Sequence, residues 1–126
     1  MLKQKITYYD LFTDEQVSEE FYFNLTQTEI MELEIDKMGL NEYITKIARE
    51  EDVQKVWGFL KELVLKAYGE RDGSRFVKND KLREEFVQHP AFDALMMSFF
   101  EGDDGKAGAE NAAKFVEGII PKHAIK

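Results

Sequence analysis

The side chains best suited to moving protons near neutral pH are His89 and His123, and the chain has no cysteine. His89 precedes Pro90, and His123 lies in the closing segment. Neither has the serine or aspartate context of a nucleophile relay. His89 therefore reads as a surface or helix-end residue. With no His-x-x-x-His spacing and no thiolates, a zinc site is not expected, and neither a metal nor a cofactor is expected.

The glycine-rich run Gly102-Asp103-Asp104-Gly105-Lys106-Ala107-Gly108 invites two phosphate or cation readings, and both fail. A Walker loop needs glycine at position 100 and a hydroxyl after the lysine, where Phe100 and Ala107 stand. A calcium loop opening at Asp103 needs a carboxylate at its twelfth position, which is Lys114. The run reads as a loop from Glu101 to Gly108. No nucleophile, acid–base pair or metal site emerges, so the chain is not expected to be an enzyme.

What remains is charge and apolar surface. The chain of 126 residues has 17 Lys plus Arg against 25 Asp plus Glu, a formal charge of −8. Between Ile6 and Asp36 there are nine acidic residues and no Lys or Arg. Arg71, Arg75, Lys78, Lys81 and Arg83 form a local basic cluster diluted by Asp72 and Asp80. So acidic a chain is a poor ligand for nucleic acid, because phosphate contacts need cations. The pairs Glu19-Glu20, Glu50-Glu51 and Glu84-Glu85 read as solvated faces, or as an acidic surface for a basic or amphipathic partner. Acidic third and basic cluster together allow head-to-tail self-association.

The length allows one domain burying roughly 65–70% of its unfolded surface. A composition 44% hydrophobic and 13% aromatic is enough for a core. The opening carries no apolar signal core, and no stretch reaches the ~18–20 apolar residues of a membrane span. A soluble, cytoplasmic protein is expected.

The elements follow from spacing. Ile6, Tyr8 and Tyr9, then Val17, Phe21, Phe23 and Leu25, predict a β-hairpin turning at Thr13-Asp14-Glu15-Gln16. Thr26-Gln27-Thr28-Glu29 is a capping box opening a helix with Ile30, Leu33 and Met38 that stops at Gly39. Asn41 is placed to cap a short helix with Tyr43, Ile44 and Ile47, and Asp52 a longer one from about Val53 to Tyr68, ended by Gly69. Residues Arg71 to Val77 read as a loop with a small extended excursion. Asn79 caps a helix carrying Leu82 and Phe86, and a last helix with Phe115, Val116 and Ile119 ends at Pro121.

The expected architecture is helix-dominated α+β. A β-hairpin over 1–26 precedes about six helices in a compact bundle over 27–121, one globular domain over 1–121 with a flexible tail over 122–126. Within it, Ala91 to Phe100 is apolar except for Asp93 and Ser98. A helix apolar nearly all round is central to a core or part of an interface. Phe92, Met96, Met97, Phe99 and Phe100 are the candidate partner-binding residues, since methionine and aromatic surface can repack around varied partners.

Several motifs resemble one family. Glu20-Phe21-Tyr22-Phe23-Asn24-Leu25-Thr26, followed by Glu29-Ile30-Met31-Glu32-Leu33-Glu34, is similar to the opening of tail assembly chaperones of long-tailed, siphovirus-type bacteriophages and prophages. So are Lys66-Ala67-Tyr68-Gly69, Asp72-Gly73-Ser74-Arg75-Phe76-Val77-Lys78, Leu82-Arg83-Glu84-Glu85-Phe86 and the closing Phe115-Val116-Glu117-Gly118-Ile119-Ile120-Pro121. The resemblance covers most of the chain in order. The run Gly102–Gly108 is longer than the family's usual connection, and the segment beyond Pro121 is its own.

The resemblance implies a non-enzymatic protein of the host bacterial cytoplasm, absent from the mature virion. It implies binding to the tape measure protein, a long helical chain with apolar faces, which is kept soluble until the major tail protein polymerises around it. It also implies a frameshifted longer form of the chain itself. From other classes, an acidic DNA-mimic inhibitor or a small adaptor protein fits the charge, although the basic cluster interrupts the mimicry.

Overall fold

The computed structural model describes residues 1–50, 53–102 and 106–121. The chain runs β1 (Leu2–Tyr9), β2 (Gln16–Phe23), α1 (Gln27–Asp36), α2 (Leu40–Glu50), α3 (Val53–Ala67), β3 (Tyr68–Asp72), β4 (Arg75–Val77), α4 (Asp80–Val87), α5 (Pro90–Ser98) and α6 (Lys106–Ile119). The four strands form one antiparallel sheet in the order β1-β2-β3-β4.

The expected N-terminal hairpin is present, in register from Leu2 opposite Phe23 to Tyr9 opposite Gln16. Alternation decides its two faces. Ile6, Tyr8, Phe21 and Phe23 point into the core. The other face is solvated and carries cross-strand polar pairs, Thr7–Ser18 at 2.8 Å and Lys3–Glu20 at 2.9 Å. The turn lies earlier than its spacing suggests. Asp10 N donates to Glu15 O at 2.8 Å, the Asp10 carboxylate accepts from Phe12 N and Thr13 N, and Asp14 takes a left-handed φ of 59°. Gln16 is thereby drawn into the strand.

The capping box of α1 forms as expected, Thr26 and Glu29 each satisfying the other's backbone N–H. The helix exits through two left-handed residues, Met38 at 56° and Gly39 at 107°. Because the Glu34 carboxylate accepts from Leu40 N, α2 starts at Leu40, and Asn41 is its second residue, past the capping position. The proposed cap Asp52 and the tail 122–126 lie outside the described residues.

The sheet is wider than the sequence predicts. Tyr68 and Gly69, expected to finish α3, begin β3, and Arg71–Val77, expected as a loop, holds a second hairpin. Helical periodicity ends at Ala67 because the chain then meets a strand edge. Tyr68 pairs with Phe23, Gly69 with Tyr22, and Asn24 N donates to Ala67 O at 2.9 Å. Gly69 is required there, since a Cβ would stand 2.7 Å from both Val77 O and the Phe76 ring. Among the described residues, the region 27–121 is therefore six helices interrupted by two strands, and the sheet, rather than a helical bundle alone, receives the core.

Where β2 enters α1, several elements are tied together. Leu25 N donates to Ile119 O at 3.0 Å, joining the end of α6. Lys78 Nζ donates to Asn24 O at 2.9 Å, to Lys66 O at 3.0 Å and to the Glu29 carboxylate. Asn79 caps α4 as expected, its side chain accepting from Leu82 N at 2.9 Å.

Candidate partner-binding groove

The nearly all-apolar segment Ala91–Phe100 divides between interior and surface. Pro90 stands in the first turn of α5, and His89 caps the helix, its Nδ1 accepting from Ala91 N at 3.0 Å. Phe92, Met96 and Phe99 are buried; Met97 and Phe100 are exposed, at 49% and 37%. A partner meeting the folded chain can thus touch Met97, Phe100 and whatever edge of Phe99 borders a cleft. Phe92 and Met96 support that surface from beneath.

Such a cleft exists. A groove of about 550 Å³ opens between α2, α3, α6 and the end of α5. Ile44 of α2 and Val56, Phe59 and Leu60 of α3 form one wall. Ala109, Ala112, Ala113 and Val116 of α6 form the other, and Phe99 and Phe100 close one end. The three alanines keep it open, because side chains reduced to a methyl leave the space between helices unfilled. Glu117 is the one charged side chain among its described lining residues.

Local sequence explains how Phe100 is held. The Trp57 ring of α3 lies 5.4 Å from the Phe100 ring. Asn111 Nδ2 donates to Ser98 O at 2.8 Å, and Gly108 N to Glu101 O at 3.0 Å, fastening α6 to the end of α5. The expected loop to Gly108 is shorter than predicted: α6 begins at Lys106, and Gly108 is buried inside it. Residues 103–105 lie outside the described residues.

Sequence reasoning found Phe99 and Phe100 but not the walls opposite them. The signal was present in two places, the unusually wide apolar stripe of α3 and the small residues of α6. What it lacked was the angle at which those helices meet.

Elsewhere the polar groups serve the fold. The Tyr8 hydroxyl donates to the Glu19 carboxylate, which with burial pushes the phenol up to about 12. The His89 ring meets that of Tyr8 edge-on at 5.0 Å. Among the described residues no cluster of three or more His, Asp or Glu side chains could hold a metal ion. The basic cluster does not form one patch. Lys78 is spent on Glu29 and two carbonyls, while Arg83 donates to Leu65 O at 2.9 Å and to Asp80 at 3.0 Å. Among the described residues no helix is long and apolar enough to cross a membrane.

A groove lined by apolar side chains, with Glu117 the one charged group among its described lining residues, can bury an apolar helix face or chain segment. That chemistry accords with a comparison to known families: the phage tail assembly chaperone family matches over residues 1–126. No curated protein and no solved structure matches the chain. The match takes in every motif from the Glu20–Glu34 opening to the Phe115–Pro121 close, and the chain belongs to the phage tail assembly chaperones.

Proposed function

We propose that the chain receives the apolar face of an amphipathic helix of the tape measure protein in the groove between α2, α3 and α6. The client stays soluble in the host cytoplasm until the major tail protein polymerises around it, and the chaperone is not retained in the mature virion. The chain works by binding alone, with no catalytic step. The observation that carries this reading is the groove itself, open, apolar on both walls and bordered by the exposed Phe100 ring. A helix laid there would exchange water-exposed leucine-type side chains for contact with Ile44, Val56 and Val116, each buried side chain contributing on the order of 1.5–3 kcal/mol.

Co-expression with the tape measure protein of the same genome, followed by affinity purification, tests the reading. Soluble tape measure protein is expected only when the chaperone is present, and Phe100→Asp is expected to abolish its retention while the variant stays folded. A tape measure protein that is soluble alone and does not co-purify, or one retained equally by Phe100→Asp, overturns it.

A further inference from the structure

The outer face of α1 is apolar where folding asks nothing of it. On its inner side α1 buries Leu33 and packs Ile30 against the core. On the opposite side Met31 and Ile35 are 57% and 70% exposed, and Met38, just beyond the helix, is 86% exposed. At about 100° per residue, Met31 and Ile35 project about 40° apart, with Glu32 and Glu34 on either flank. The helix thus has two apolar faces, and the core uses one. Polar residues at Met31 and Ile35 would serve folding equally well, with less cost in solubility.

Charge says what such a face fits. No Lys or Arg occurs from Ile6 to Asp36, while α1 and its flanks carry Glu29, Glu32, Glu34 and Asp36. The first cation after them, Lys37, is turned inward, its Nζ 3.2 Å from Glu62 and 5.0 Å from the centre of the Tyr43 ring. It touches Asp36 at 3.4 Å but leaves Glu32 and Glu34 uncompensated by any cation among the described residues. Within the basic cluster, Lys78 and Arg83 are engaged internally and are not offered to this face.

We infer that the outer face of α1 is a second docking site, distinct from the groove, and that its occupant is a cationic amphipathic helix. Met31, Ile35 and Met38 receive its apolar stripe, and Glu32 and Glu34 face its lysines or arginines. Two methionines of three suit a site that must accept varied apolar side chains. This site does not depend on the groove.

The probe is a labelled synthetic helix of leucine and lysine, amphipathic by design, titrated by fluorescence anisotropy into the full chain carrying Phe100→Asp, so that the groove does not compete for it. Its counterpart has glutamate in place of lysine. The lysine helix is expected to bind, more weakly as salt is raised, and the glutamate helix not to bind. Ile35→Ser is expected to weaken binding at least about tenfold, the effect of one large aliphatic side chain left in water. Glu32→Lys is expected to weaken it too. All three positions are surface-exposed, and thermal unfolding verifies that each variant folds. Equal binding of both helices, binding indifferent to Ile35→Ser, or no binding of the lysine helix overturns the inference. Failure of the groove reading shows separately, as tape measure protein retained by Phe100→Asp.

Discussion

The rings of Tyr68 and Phe86 lie parallel, with centroids 4.0 Å apart and planes 4° from coplanar. This contact joins the first residue of β3 to α4, and Phe86 meets Phe21, Phe23 and Phe92 as well. One side chain thus clasps two strands and a second helix. Phe86→Ala removes all four ring contacts from a fully packed site. It is expected to cost about 3–5 kcal/mol, read as a lower midpoint in chemical denaturation.

Gly108 is the close approach between α6 and the end of α5. A Cβ there would stand 2.6 Å from the Phe99 carbonyl carbon and 2.7 Å from Glu101 N, both backbone atoms that cannot swing aside. Gly108→Ala is therefore expected to destabilise by about 1–3 kcal/mol, although alanine is the better helix former. Gly58 lies in α3, and a Cβ added there would meet nothing within 4 Å. Gly58→Ala is expected to stabilise by up to about 1 kcal/mol, and the pair of thermal melts separates steric from propensity effects.

Lys78 and Glu29 form an ion pair at the junction of β2, α1 and α3, with side chains 13% and 20% exposed. Burial by itself would raise the Glu29 carboxyl, but the Lys78 ammonium and the Thr26 N–H outweigh it and hold it below its ordinary 4.5. A carboxyl lowered in the fold stabilises above its unfolded pKa and loses that contribution as pH falls through the folded one. Stability is expected to decline below about pH 4.5, with a shallower decline in Glu29→Gln. Lys78→Met, which leaves the carboxylate without its partner, is expected to cost about 3–5 kcal/mol at neutral pH in urea denaturation.

Tyr8 contributes to the alkaline side, as does Tyr68, whose phenol is pushed up by burial and its hydrogen bond to Glu70. The Tyr8 hydrogen bond to Glu19, assisted by burial, raises the phenol from 10.0 to about 12. A group raised in the fold contributes fully below its unfolded pKa, so this contribution persists below pH 10 and is lost between 10 and 12. Tyrosinate absorbance is expected to show a phenol titrating near 12 that is missing in Tyr8→Phe. Tyr8→Phe is also expected to lessen the loss of stability between pH 10 and 12.

Much was legible from neighbours in the chain. The hairpin, the Thr26–Glu29 box, the Asn79 cap and the apolar character of Ala91–Phe100 all rest on interactions within a few residues, which spacing reports directly. The family resemblance was legible for the same reason, since it is a series of local motifs in order.

What tertiary structure alone decided is where distant segments meet. Tyr68 continues the helical pattern of α3 and Gly69 reads as its stop, and only the edge of β2 makes a strand of them. Phe99 and Met97 are both large apolar residues in one short segment. Which is buried and which exposed depends on α6 lying against one side, and that depends on Gly108 letting the backbones approach. The groove exists because small side chains of α6 face the wide stripe of α3 across a gap set by backbone packing. Residue types along a chain specify how apolar each face is; the distance between two faces is a property of the folded whole.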